Sequence, residues 1–237
     1  MSTPTKAFIL GAGYGTRMQP LTLQTPKPLV KISDKPLLDH ICDHLKTASI
    51  TDIMVNTHHL PEKIEQWART RTDLNISLSY EETLLDTAGG IANVLEFFQD
   101  EPFYVIAGDS FWIERNNTTI FEKLASTWSN ETIDILMTLQ DIKTMTQTTG
   151  VGDYDINTDQ TLTRSRAQTG THMFTNIRIN HPRIFKNIPK DKPSSFLALM
   201  DKAQQEKRLY GIEHDLEWHH ISTPEDLARV NKHVQSA

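Results

Sequence analysis

Apolar positions along the first ~140 residues fall into short blocks that switch between two periods. Residues 6–10 (KAFIL) form a brief apolar run that stops at a glycine, as a buried strand does. Residues 37–48 place Leu38, Ile41, Cys42, Leu45 and Ala48 on one face at helical spacing, and 52–56 (DIMVN) return to a strand pattern. Pro61 suits the first turn of a helix carrying Ile64, Trp67 and Ala68. A strand at 76–80, a helix over about 89–98 and a strand at 103–107 (FYVIA) follow. The last is apolar throughout, as a strand covered on both faces would be. A helix near 118–128 and a strand at 133–139 complete the alternation, which predicts a mainly parallel sheet with helices on both sides.

Beyond residue 145 the pattern loosens into a polar, turn-rich, strand-like stretch, followed by a strand at 173–179. A helix over about 194–207 and strands near 209–212 and 216–221 come next. The closing helix takes Ser222 or Thr223 as its cap, and Ser222 with Glu225 has capping-box spacing. With no repeat and no linker, the 237 residues read as one α/β domain. About 1–140 form one half and about 141–237 the other.

Composition narrows the function classes. No apolar run approaches the ~20 residues that span a bilayer, and the first residues lack the pattern of a signal peptide. A single cysteine, Cys42, excludes an internal disulfide framework and a cysteine-based zinc cluster, and it is expected in the core. These features predict a cytoplasmic protein without a membrane partner. The net charge of −6 argues against nucleic acid as a partner. Yet residues 1–33 hold Lys6, Arg17, Lys27 and Lys31 and no acid at all, which points to a small anionic ligand near that segment.

That segment contains LGAGYGTRMQPLTLQTPKPLV (residues 10–30). The dinucleotide fingerprint would need a third glycine where Thr16 stands, and Pro20, Pro26 and Pro28 exclude a continuous helix after it. The Walker-type phosphate loop is absent too. An extended loop remains, in which Gly11, Gly13 and Gly15 let backbone N–H groups approach an anion. Arg17 adds a planar, permanently charged fork, and the prolines hold Lys27 in an extended segment returning to the same place. A triphosphate would use all of these. Asp109, directly after the 103–107 strand, suits Mg²⁺ held by one or two protein oxygens plus phosphates and water.

The stretch GAGYGTRMQPLTLQTPKPLVKISDKPLLDHICDHL resembles the signature of the sugar-1-phosphate nucleotidyltransferases. The likeness continues through LLDTAGGI (84–91), IAGDSFW (106–112), FTNIRINHPRIF (174–185) and EWHHISTPEDL (217–227). It implies a Rossmann-like three-layer αβα fold with a mainly parallel, partly mixed central sheet, the nucleotide-diphospho-sugar transferase fold. It also implies transfer of a nucleotidyl group from an NTP to a sugar 1-phosphate with release of pyrophosphate. Among small members without a C-terminal β-helix, the likeness favours uridylyl transfer to N-acetylmuramate 1-phosphate, as in peptidoglycan recycling. Mannose or glucose 1-phosphate with another base is the alternative. The partners expected are these small molecules, in a monomer or small homo-oligomer.

By the same resemblance Arg17, Lys27 and Asp109 are catalytic. Leu10, Gly11, Ala12, Gly13, Gly15, Thr16, Ala88, Gly89 and Gly108 contact the nucleotide, with Gly89 letting the base lie against backbone. Glu82 either contacts the base edge or is a solvated turn carboxylate. Gly152, Asp153 and Asn176 fall in the region that contacts the sugar. Asn176 stands where many relatives carry glycine and is expected to crowd that pocket.

One departure bears on the metal. Relatives commonly have W-x-D-x-G-T where this chain reads WHHIST (218–223), so His220 occupies the position of the second metal ligand and Ser222 that of the glycine. Alternation of Leu216, Trp218 and His220 keeps His220 pointing where the acid would. Imidazole is a poor Mg²⁺ ligand and suits softer ions, so Mn²⁺ or Co²⁺ is an expected preference, with activity lost as His220 protonates. A nucleotide-binding protein with little catalysis is the competing reading. His40 and His44, one helical turn apart but off the apolar stripe, read as a solvated pair, and His58 and His59 cannot both face one metal from an extended backbone.

Overall fold

The computed structural model describes residues 3–114, 118–145 and 150–236. Strand β1 (Lys6–Leu10) runs into a loop of three 3₁₀ turns, at Thr16–Met18, Leu21–Leu23 and Lys27–Leu29. A small hairpin, β2 (Lys31–Ile32) and β3 (Lys35–Pro36), leads to α1 (Leu37–Thr47) and β4 (Asp52–Thr57). Helix α2 (Pro61–Thr70), β5 (Asn75–Tyr80), α3 (Asp86–Asn93) and β6 (Phe103–Ala107) continue the alternation. Then come β7 (Ser110–Ile113), α4 (Ile120–Thr127), β8 (Ile135–Asp141), β9 (Tyr154–Ile156), β10 (Leu162–Arg164) and β11 (His172–Asn180). The last elements are α5 (Leu197–Gln205), β12 (Leu209–Glu213), β13 (Glu217–His220) and α6 (Pro224–Ser236).

Among the described residues, nine strands join one sheet. Strands β5, β4, β1 and β6 are parallel neighbours, and β11 then pairs antiparallel with β6. Beyond it, β8 pairs antiparallel with β11 and parallel with β12, while β9 and β10 branch from the other part of β11. The sheet is mixed, with its parallel half in the first part of the chain. Alternation along β1 sends Ala7 and Ile9 to one face, against Leu38, Ile41, Cys42 and Leu45 of α1. Phe8 goes to the other face, with Ala88 and Ile91 of α3 and with Phe98, Phe185 and Phe196. A third apolar cluster lies outside these layers: Met18, Val30, Ile32, Leu37, Phe111, Ile221 and Val230 tie the loop after β1 to β7, the end of β13 and α6.

Several local expectations change. The helix expected over 89–98 starts at Asp86, where the Asp86 carboxylate accepts from the Thr87 N–H, and gives way to a 3₁₀ turn at Leu95–Phe98. The helix expected from 194 begins at Leu197. The closing helix is capped by Thr223, not by Ser222 with Glu225. Thr223 Oγ1 accepts from the Asp226 N–H while Asp226 Oδ2 accepts from the Thr223 N–H, so Asp226 closes the box. Lys27 sits in a 3₁₀ turn and not in an extended segment, since the loop folds back in tight turns between its prolines. His40 and His44 are not a solvated pair. Strand β7, too short to show a period in the sequence, covers their side of α1. The His44 ring stacks on Trp112 with centroids 4.5 Å apart, and His40 meets Phe111 edge-on at 5.0 Å. Cys42 is in the core, and burial pushes its thiol up to about 12.

Candidate active site

The parallel strands β1, β4 and β6 all end at one edge, where a pocket of about 370 Å³ opens. Its floor depends on close backbone approach. Gly108 donates its N–H to the Leu10 carbonyl at 2.9 Å, and a Cβ there would lie 2.6 Å from that carbonyl oxygen and 3.1 Å from Pro28. Gly11 donates to Asn56 Oδ1 at 2.7 Å. Gly15 takes φ +61°, and its carbonyl accepts from Thr22 Oγ1 and the Met18 N–H, which turns the loop back on itself. A Cβ on Gly13 would meet nothing within 4 Å, so this part of the loop presents open backbone to the pocket.

The loop is braced from outside. The Tyr14 hydroxyl hydrogen-bonds His58 Nε2 at 2.8 Å, with the rings edge to face, while His58 Nδ1 bonds the Glu81 carbonyl. His59 Nε2 bonds the Thr22 carbonyl. Both rings pack on Tyr14, but their Nε2 atoms bond different parts of the loop, the Tyr14 hydroxyl and the Thr22 carbonyl. Glu81 is buried, its Oε1 accepting from Asn56 Nδ2 at 2.7 Å and its Oε2 from the Leu85 N–H at 2.8 Å. One carboxylate therefore links the ends of β4 and β5 to the entry of α3.

The pocket walls include Leu10, Gly11, Ala12, Gly13, Gly15, Thr16, Arg17, Lys27, Gly108 and Asp109, so the structure brings these sequence-selected residues together. Lys27 Nζ contacts Asp109 Oδ2 at 2.6 Å. Arg17 is exposed and makes no ion pair or hydrogen bond through its guanidinium with any described residue. The site thus holds one paired and one unpaired cation. Glu82, Ala88, Gly89, Gly152, Asp153, Asn176 and His220 do not line this pocket, whereas Asn56, Glu81, Asp86, Thr87 and Ser222 do. The signal for Glu81 is alternation: Tyr80 ends β5 with its side chain exposed, so the next residue turns inward at the strand's carboxyl end. Gly89 is packed against the chain itself, and a Cβ there would lie 2.6 Å from the Lys192 carbonyl oxygen.

His220 pairs with Ser110 across the β13–β7 ladder, beside Asp109 in sequence. Its Nε2 bonds Ser222 Oγ at 2.7 Å and its Nδ1 is buried without a partner. Burial holds its pKa below the ordinary imidazole value, against the attraction of Asp109 and with the help of Lys27 and Arg17. Asp153 accepts from the Phe174 N–H at 3.3 Å, and burial pushes its carboxyl above the usual range. Asn176 sits at φ +61° within the bulge that shifts the β11–β8 register between Phe174 and Arg178. Asparagine tolerates this left-handed conformation better than most non-glycine residues.

Residues 6–147 match the nucleotidyl transferase family. Over 228 residues the chain is 29% identical to the N-acetylmuramate alpha-1-phosphate uridylyltransferase of Caulobacter vibrioides, covering 94% of this chain and 93% of that protein. It is 30% identical over 223 residues to the enzyme of the same name from Neisseria meningitidis serogroup B, covering 92% and 93%. The fold superposes on a UDP-glucose pyrophosphorylase solved with UDP-glucose at a TM-score of 0.80, with 16% identity and coverage of 99% and 100%. The architecture is the nucleotide-diphospho-sugar transferase fold. With a family match over more than half its length and relatives of this kind over nearly all of it, the chain belongs to the nucleotidyl transferase family, among the sugar-1-phosphate nucleotidyltransferases.

Proposed function

We propose that the protein transfers UMP from UTP to N-acetylmuramate 1-phosphate, releasing pyrophosphate, in the reuse of cell-wall sugars. Likeness to the two uridylyltransferases over nearly the whole chain supports the choice of base and sugar. The observation that carries the reaction type is the convergence of the glycine loop, Arg17, Lys27 and Asp109 on one pocket.

In this reading a phosphate oxygen of the sugar 1-phosphate attacks the α-phosphorus of UTP. A new P–O bond forms as the bond to the bridging oxygen of the β-phosphate breaks, and pyrophosphate leaves with that electron pair. No covalent enzyme intermediate is needed. Both reactants are anions, so alignment and charge neutralisation dominate. The open backbone at Gly13 and its neighbours takes the triphosphate. Arg17, with no competing partner, neutralises the departing pyrophosphate, and Lys27 supports the α-phosphoryl group. Glu82 borders the base, and Gly152, Asp153 and Asn176 the sugar, as parts of the cleft beyond the triphosphate pocket, whereas Ala88 and Gly89 pack inward against Ser194 and Lys192 and do not reach the base.

A divalent cation fits this donor set. Asp109 Oδ2 takes Lys27, which leaves Oδ1 without a partner among the described residues. Mg²⁺ is commonly held by one or two carboxylates plus phosphate oxygens and water. When bound, the cation supplies further charge neutralisation on the phosphates. His220 offers a buried, unpartnered Nδ1 near Asp109, a donor better matched to Mn²⁺ or Co²⁺ than to Mg²⁺.

The test is a panel of the four common NTPs against N-acetylmuramate, mannose and glucose 1-phosphates, with pyrophosphate release measured under Mg²⁺ and Mn²⁺. UTP with N-acetylmuramate 1-phosphate should give the highest kcat/KM. A higher value for another pair overturns the assignment of substrates, and no release with any pair overturns the reaction.

A further inference from the structure

On the face of β13 opposite His220, the alternate positions Glu217 and His219 project together and meet His233 from α6. His219 Nε2 lies 3.1 Å from Glu217 Oε1, and His233 Nε2 contacts the same oxygen. The three donor atoms all lie within 4.8 Å of one another. Glu217 and His219 come from a strand and His233 from the helix that follows it, so the arrangement joins two elements whose outer members, Glu217 and His233, are 16 residues apart in sequence.

We propose that Glu217, His219 and His233 form a binding site for a transition-metal ion of the zinc class, separate from the catalytic pocket. Two imidazoles and one carboxylate are a donor set for zinc, with a fourth position left to water. Ligands on a tetrahedral zinc at ~2.0–2.2 Å stand roughly 3.3–3.5 Å apart, so the His219–Glu217 spacing is nearly that of a loaded site. The His233 contact must open to admit the ion. His219 is fully buried, so its ring is held in one orientation beside Glu217. Glu217 and His233 also border a cavity of about 560 Å³, lined by Glu213 and by Asp215 paired with Lys123, which opens these two donors to an entering ion. Zinc held there would fasten α6 to β13, whose last residue is His220.

The experiment uses the full chain, stripped with a chelator, reloaded with Zn²⁺ in excess Mg²⁺, desalted and assayed for zinc by mass spectrometry. Co²⁺ loading supplies a visible spectrum for the same site. Wild type, His233→Ala, His233→Asn and His220→Ala are compared, with circular dichroism as the folding control. The expected result is a single zinc retained by wild type and by His220→Ala and lost from both His233 variants. Co²⁺-loaded wild type should show four-coordinate bands that the His233 variants lack, and zinc should raise the unfolding midpoint only where His233 is present. Retention of zinc by folded His233 variants, its loss from His220→Ala alone, or no retention by wild type overturns the site.

Discussion

Lys27 Nζ lies 2.6 Å from Asp109 Oδ2, and both side chains keep part of their surface open to the pocket. The pair links the loop after β1 to the end of β6, so each residue holds the other at the place where an anion and its counter-cation would meet. Lys27→Met and Asp109→Asn should each lower kcat by ~100-fold or more, on the scale of losing one transition-state charge contact. Because the two groups act on one another, the double variant should lose much less than the product of the single effects, as steady-state kinetics on all four proteins would reveal. Arg17→Ala, with no partner to disturb, should lose turnover with no change in the unfolding midpoint.

Gly13 and Gly108 separate binding from folding. Gly108→Ala drives a Cβ to 2.6 Å from the Leu10 carbonyl oxygen, backbone that cannot yield cheaply, and should cost about 1–3 kcal/mol in denaturant unfolding. Gly13→Ala meets open space and should unfold like wild type. With the triphosphate seated as proposed, it should nevertheless raise the KM for the NTP, because the new methyl group would project into the pocket.

Removal of divalent cations with a chelator should abolish pyrophosphate release, and re-addition should restore it. His220→Asp should raise the ratio of Mg²⁺-supported to Mn²⁺-supported turnover, since a hard oxygen replaces an imidazole. Burial lowers the His220 pKa, so the neutral ring persists into mildly acid solution. Any acid limb it causes in kcat should therefore lie below pH 6.5, and the His220→Asp profile should lack it.

His214 gives stability a pH dependence. Its pKa falls from 6.5 to about 4 because burial disfavours the charged ring, and Nε2 has no partner there. The unfolded chain binds this proton near pH 6.5 and the folded chain does not, so stability is full above that value and declines as pH falls towards about 4. The loss from this one group should be on the order of 3 kcal/mol. Urea unfolding at pH 7 and pH 5 should show the decline, and His214→Gln should flatten it.

The sequence discloses the parallel half of the sheet because β1, β4, β5 and β6 carry their own apolar pattern and are separated by amphipathic helices. It discloses which residues meet in the pocket at the strand ends because Gly11, Arg17, Lys27 and Asp109 lie in motifs whose residue types and spacing already suggest an anion site. What it conceals depends on pairing between distant segments. The four residues of β7 show no period, and only their ladder with β13 makes them a strand that covers His40 and His44. Glu81 resembles any turn carboxylate until Asn56 and the Leu85 amide are brought against it. The meeting of His233 with Glu217 and His219 has no local signature, because a helix and a strand contribute the donors separately.

The third apolar cluster has a consequence for biosynthesis. Met18 and Val30 lie in and just after the loop that follows β1, and they share an apolar cluster with Ile221 and Val230, while Asn231 receives the Ser33 amide on its side-chain oxygen at 2.8 Å. During synthesis the loop segment leaves the ribosome about 200 residues before Ile221 and Val230, which back it. The catalytic edge therefore stays unsupported until the thirteen residues of the closing helix have emerged and docked.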